Sequence, residues 1–211
     1  MKTDLSHCDC LLIYGGTFDP PHVAHFALPK LAMRAIGAQA VVFVPARVSP
    51  LKITKVSPAA DRLAMLKLAL RDESDAAIET FELDHGQPDE PSYTVDTLIA
   101  LRNKWGESVK LRLLIGADQL LLFPKWRASD RITQLAEPLV MVRPPMTAQS
   151  LLDSLPAGMD RAAWRARLLT DLPVMDVSSS MIRARVAAGE SITGLVSPAV
   201  EAYIIERGLY R

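Results

Sequence analysis

The sequence of 211 residues has no apolar run long enough to cross a bilayer, and no signal-peptide core follows its first residues. A cytoplasmic protein is the expectation. Charge excess is missing too: 24 Lys and Arg balance 24 Asp and Glu, so no electrostatic footprint for a polyanion extends beyond a local patch. This points to small-molecule substrates, with no nucleic acid and no membrane as partner. Cysteine is scarce, with only Cys8 and Cys10. Two ligands make no metal site, and free thiols beside a strand are the expectation. The length suits a single domain spanning 1–211 with a proper core, and it leaves the oligomeric state open.

What is present begins at residues 11–14, LLIY, a short apolar run that reads as a buried strand and stops at Gly15-Gly16. Glycine lets the backbone turn there and approach a ligand closely. Pro20-Pro21 then fixes two φ angles, and Leu28, Leu31, Ala32, Ala35 and Ile36 describe one face of a helix. Such a turn, at the carboxyl end of a strand in an open α/β sheet, is a place for an anion, which helix N–H groups attract. His22 and His25 lie three apart at the start of that helix and so on one face. Both can reach the same phosphate. Pro29 cannot donate a helical hydrogen bond, so a bend or an irregular first turn is expected.

The string GGTFDPPHVAH resembles the GGTFDPxHxGH signature of the nucleotidyltransferase superfamily that includes the bacterial nicotinate-nucleotide adenylyltransferases. Ala24 stands where that signature has glycine. The resemblance implies ATP contacts from Gly15, Gly16, Thr17, Phe18, His22 and His25, with both histidines near the reacting α-phosphate.

Further along, residues 40–45 (AVVFVP) read as a second buried strand, which makes the opening a right-handed β-α-β unit. A cationic loop with Arg47, Lys52 and Lys55 follows; the resemblance puts a basic acceptor-binding residue near Lys52. Ser57-Pro58 reads as a helix cap and first helical residue, with Leu63, Leu66 and Leu70 on the inner face of a helix to about residue 71. Strands are expected at 76–83, 110–115, 138–142 and 174–177, and helices from 93 to about 105, at 120–123, within 160–169 and after Ser178 and Ser197. Residues 143–155 give no clear pattern. The fold class is α/β: a Rossmann-like open parallel sheet of nucleotidyltransferase type, with helices on both faces.

Three more strings carry the resemblance. SYTVDTL, 92–98, is similar to the SYTxDTL segment of the nicotinate-nucleotide adenylyltransferases, whose helix start helps hold the nicotinate carboxylate; this implies Tyr93 and Thr94, with Gly16, at the acceptor. GADQLLLFPKW, 116–126, resembles a GADxxxxxxxW segment, implying Gly116 and Asp118 near the nucleotide and Trp126 stacked on the pyridine. VSSSMIR, 177–183, resembles ISSTxIR, implying Ser179, Ser180 and Arg183 on the β- and γ-phosphates. From charge alone, Arg183 in a first helical turn opposes the helix dipole and needs an anionic neighbour, which a triphosphate or a surface carboxylate would supply equally well.

The implied reaction transfers the adenylyl group of ATP to nicotinate mononucleotide, with His22, His25 and Arg183 as the catalytic set and Mg²⁺ arriving with ATP. Three other readings stay open on the residues alone. They are a phosphopantetheine adenylyltransferase, which shares only the two phosphate motifs, a zinc hydrolase using Asp19, His22 and His25, and a nucleotide-binding module without turnover.

Overall fold

The computed structural model of the chain describes residues 4–48, 56–86 and 90–211. The described residues form six strands, β1 (Cys10–Gly16), β2 (Ala40–Pro45), β3 (Ala76–Ile78), β4 (Lys110–Gly116), β5 (Glu137–Met141) and β6 (Leu168–Leu169), which pair in parallel in the order β3-β2-β1-β4-β5-β6, the Rossmann order, reversing direction between β1 and β4. The inner strands β1, β2 (Ala40–Pro45), β4 and β5 (Glu137–Met141) are apolar almost throughout because both faces are covered.

Alternation along the strands sorts the core into two layers. Leu11, Ile13, Val42, Val44, Leu113 and Ile115 point to one side, where α4 (Thr94–Trp105), α5 (Ala117–Leu122) and α6 (Ser129–Leu135) pack. Leu12, Val41, Phe43, Leu114 and Met141 point to the other, against α1 (Val23–Ala35) and α2 (Ala59–Ala69). A third, smaller cluster of Met65, Ile182, Ile192, Val196, Val200 and Ile204 joins α2 to α9 (Ser179–Ala187) and α10 (Pro198–Arg207). Helix α9 is thus anchored by Ile182 to a satellite core off the sheet. Among the described residues no helix is long and apolar enough to cross a membrane.

The structure differs from the sequence reading at the sheet edges and caps. Strand β3 is only Ala76–Ile78, and residues 81–84 form a helical turn, α3 (Phe81–Asp84), because the edge strand ends where its pairing with β2 ends. The sixth strand is Leu168–Leu169, paired to Val140 and Met141, while residues 174–177 are coil with Val174 exposed. After α7 (Ala148–Asp153), the helix expected within 160–169 is accordingly short, α8 (Arg161–Arg165), and is capped by Asp160. Helix α2 is preceded by Pro58 with no side-chain cap; Ser57 instead donates its N–H to Asp19 Oδ2 at 3.1 Å. Helix α4 begins at Thr94 after Tyr93, and Ser92 turns its hydroxyl to Glu82. Helix α1 runs through Pro29, and its first turn is tightened by the His25 N–H bonding the His22 carbonyl at 2.8 Å.

Candidate functional site

The carboxyl ends of β1 and β4 open into a cavity of about 670 Å³ at the point where strand order reverses. Gly15, Gly16, Thr17, Phe18, His22 and His25 line it from the β1–α1 turn. Tyr93, Thr94, Gly116, Asp118 and Trp126 line it from the α4, β4 and α5 side, and Ser179, Ser180 and Arg183 from α9. Every site residue expected from the sequence is therefore on one cavity, except Lys52, which lies outside the described residues. Gly16 is there for space, because the ring beside it is buried, whereas the neighbour of Gly116 is the tip of an exposed side chain that can swing aside. A Cβ on Gly16 would meet the Phe18 ring at 2.9 Å, and one on Gly116 would meet Asp118 Oδ1 at 2.5 Å.

The imidazoles of His22 and His25 stack with centroids 3.6 Å apart. The backbone N–H of His22 donates to His25 Nδ1 at 3.2 Å, so neutral His25 carries its proton on Nε2. His22 is 4% exposed, and among the described residues its Nδ1 has no partner. Burial, and then the nearby Arg143 guanidinium, push its pKa down to about 4, so the ring is neutral at pH 7. The start of α1 offers less to an anion than its sequence implies, because the Val23 N–H is taken by Leu195 O at 3.0 Å.

Within its own chain Arg183 rests on uncharged acceptors. Its Nη1 donates to the Asp19 carbonyl at 2.7 Å and its Nη2 to Ser180 Oγ at 3.2 Å, and among the described residues no carboxylate pairs with it. Ser179 Oγ likewise donates to the Pro20 carbonyl at 2.9 Å, while Ser178 caps α9. Thus α9 hangs on the carbonyls of the β1–α1 turn. The same turn is held from below by Arg62, 1% exposed, whose guanidinium donates to the carbonyls of Ser57, Thr17, Ala46 and Arg47. Asp19, His22 and His25 do not form a zinc site: both Asp19 oxygens accept protein donors, and the described residues contain no metal-binding cluster of His, Cys, Asp or Glu.

At the other end, Glu82 accepts hydrogen bonds from Ser92 Oγ and from Thr97 Oγ1, the latter at 2.8 Å, and burial pushes its pKa up. Thr97 is a buried anchor, while Asp96 pairs with Arg127 at 3.3 Å. The Arg127 guanidinium sits 4.8 Å from the Tyr93 ring centroid. Trp126 packs on Phe123, and its buried Nε1 lacks a partner among the described residues. Cys8 and Cys10 are free and buried at the opposite end of β1.

Sequence reasoning missed Arg143, Asp19 as a structural anchor, Glu82, Arg62 and Tyr210. Arg143 stands two residues after the end of β5 and lines both this cavity and a neighbouring one of about 460 Å³. Its place at the carboxyl end of a parallel strand was the available signal.

Residues 13–185 match the Cytidylyltransferase-like family model. A relative from Thermomicrobium roseum, named "Probable nicotinate-nucleotide adenylyltransferase", is 38% identical over 202 residues, spanning 94% of this chain and 90% of its own length. One of the same name from Klebsiella pneumoniae is 36% identical over 209 residues, spanning 94% and 95%. The solved nicotinic acid mononucleotide adenylyltransferase of Plasmodium falciparum, complexed with NaAD, shares the fold with a TM-score of 0.71 at 18% identity, over 96% of this chain and 97% of that one. By its sequence and its fold, the chain belongs to the nicotinate-nucleotide adenylyltransferases of the cytidylyltransferase-like family.

Proposed function

We propose that the chain transfers the adenylyl group of ATP to nicotinate mononucleotide, giving deamido-NAD and pyrophosphate, a step of NAD biosynthesis. The observation that carries this is the convergence of two stacked imidazoles, a guanidinium and two serines on one cavity across the tips of parallel strands. The acceptor's phosphate is itself the nucleophile. One of its oxygens bonds to the α-phosphorus as the α–β bridging bond breaks, and the electron pair leaves on pyrophosphate. Catalysis then asks for alignment of two anions and stabilisation of the charge that develops.

In this reading His22 and His25 donate to oxygens around the α-phosphate, with the backbone of Gly15, Gly16, Thr17 and Phe18 alongside. Arg183 with its remaining N–H groups, Ser180 with its hydroxyl and Ser179 with its backbone N–H meet the β- and γ-phosphates while Arg183 Nη1 and Ser179 Oγ stay on the turn carbonyls. Gly116 and Asp118 face the adenosine side, where Arg143 adds positive charge. Tyr93, Thr94, Gly16 and Trp126 hold the acceptor; the N–H groups at the start of α4 suit a carboxylate, and the flat indole suits a pyridine. Lys52 is assigned to the same end by the resemblance alone. Mg²⁺ enters as part of the ATP substrate, carried by phosphate oxygens and water. We assign residues 1–211 to a single nucleotidyltransferase domain acting in the cytoplasm on small molecules.

The test is pyrophosphate release from Mg-ATP with nicotinate mononucleotide, nicotinamide mononucleotide and phosphopantetheine as acceptors. Turnover highest with nicotinate mononucleotide is expected. Preference for phosphopantetheine, or ATP binding with no pyrophosphate from any acceptor, refutes the reading.

A further inference from the structure

The roles above leave one buried group in the cavity wall without work: the Asp19 carboxylate, 3% exposed. Its oxygens are both engaged. Oδ2 accepts the Ser57 N–H, and Oδ1 accepts the Tyr210 phenol at 2.6 Å from a segment 191 positions away. The Asp19 main chain is engaged as well, because its carbonyl carries Arg183 Nη1, and the next carbonyl, of Pro20, carries Ser179 Oγ. The phenol therefore stands one side chain away from two proposed triphosphate donors.

Tyr210 takes up this position at some conformational cost. Its φ is 66°, in the left-handed region that bulky residues rarely adopt, and it follows Gly208, itself left-handed at φ 60°. Its ring packs in the satellite core that also holds Ile182 of α9, and its hydroxyl has Met65 Sδ at 3.9 Å. Burial and the bond to Asp19 raise the phenol's pKa far above its usual value, so it remains a donor through the working pH range.

We infer that Tyr210 is a positioning residue for ATP: through Asp19 it fixes the two carbonyls on which Arg183 and Ser179 are set, and so places these donors for the triphosphate. The inference rests on the proposed role of α9. A carboxylate beside a triphosphate is also a repulsive neighbour, and the N–H and O–H dipoles of Ser57 and Tyr210 aimed at its two oxygens offset part of that charge. Loss of the phenol hydroxyl leaves Oδ1 buried without a donor, and the strand-end turn with its two carbonyls must shift. The acceptor end shares no atom with this knot.

The chain contains its own control. Tyr203 in α10 donates to Asp61 Oδ1 at 2.8 Å, the same bond type onto α2, and neither residue lines the cavity. Steady-state pyrophosphate release is measured for wild type, Tyr210→Phe, Tyr203→Phe, Asp19→Asn and the double variant Asp19→Asn with Tyr210→Phe. Tyr210→Phe should raise KM for Mg-ATP about tenfold and leave KM for nicotinate mononucleotide within about twofold, while Tyr203→Phe moves neither. The double variant should show no larger ATP effect than the worse single one, because both act through one bond. Equal small effects of the two tyrosine variants, a matched rise in both KM values, or additive effects in the double variant overturn the inference. Should Tyr210→Phe fail to fold, Asp19→Asn carries the test with the same split expected, and an unmoved or uniform KM overturns it. A wild type that releases no pyrophosphate overturns the parent reading and this one with it; wild-type turnover with an unmoved ATP KM in Tyr210→Phe overturns this one alone.

Discussion

The two ends of the cavity hold their functional groups in different ways. Where β1 meets α9, side-chain donors rest on main-chain carbonyls: Arg183 on Asp19, Ser179 on Pro20, and Arg62 beneath on four more. Where α4 meets the Trp126 segment, side chains hold one another, as in Glu82 with Ser92 and Thr97 and Arg127 with Asp96. A carbonyl scaffold moves only if the backbone moves, so donors set on it stay aligned for a charged reacting group. A side-chain scaffold tolerates adjustment, which suits recognition of a ring and its substituent. The first end should therefore govern turnover and ATP, the second the acceptor.

The sharpest break of this comparison is His25→Ala, which removes a donor from the first end while leaving the core untouched. Turnover should fall by about two to three orders of magnitude with the circular dichroism spectrum and melting temperature nearly unchanged. Near-normal kcat would show that the imidazole pair is a packing feature.

The next effect is on stability. Because the folded protein holds His22 at about 4 against 6.5 for an ordinary imidazole, the unfolded chain takes up this proton first as pH falls. Stability is therefore unaffected by this group above pH 6.5 and declines between about 6.5 and 4, by up to about 3 kcal/mol. Urea midpoints across that window should fall less steeply for His22→Asn than for wild type. Parallel slopes would mean that the ring is not held neutral.

Trp126→Ala tests the other end. KM for nicotinate mononucleotide should rise about tenfold, consistent with loss of one aromatic platform, while KM for ATP and kcat change little. A rise confined to ATP would exchange the assignments of the two ends.

How much of this the sequence carries depends on range. The turn at Gly15-Gly16 and the inner strands are legible because strands buried on both faces read as apolar runs, and their carboxyl ends are marked by glycine and by chemistry-bearing residues. Strands β3 and β6, of three and two residues, are not legible, since pairing with a neighbour defines them and their own composition does not. Residues 174–177 have strand composition but no partner in the sheet. In the site, residues inside the four strings are visible through the resemblance. Asp19 with Tyr210, Arg62 with its carbonyls and Glu82 with Thr97 are invisible to local patterns, because each contact closes only when distant segments meet.

The smallest effect expected is also the one that most directly probes why the second end can be built from exposed pairs. Arg127 and Asp96 have side chains 58% and 46% exposed, so their pairing contributes little to stability. The same guanidinium lies over the Tyr93 ring at the cavity rim, where its field reaches an acceptor carboxylate held by the start of α4. Arg127→Gln should therefore leave the melting temperature within about a degree and raise KM for nicotinate mononucleotide by about two- to fivefold, with no change for nicotinamide mononucleotide, which lacks the charge. Raising ionic strength to about 1 M should shrink the difference between wild type and variant, since the Debye length then falls to about 3 Å. A difference that persists at high salt, or appears equally with both acceptors, assigns Arg127 to packing on Tyr93 and leaves carboxylate selection to the helix start alone.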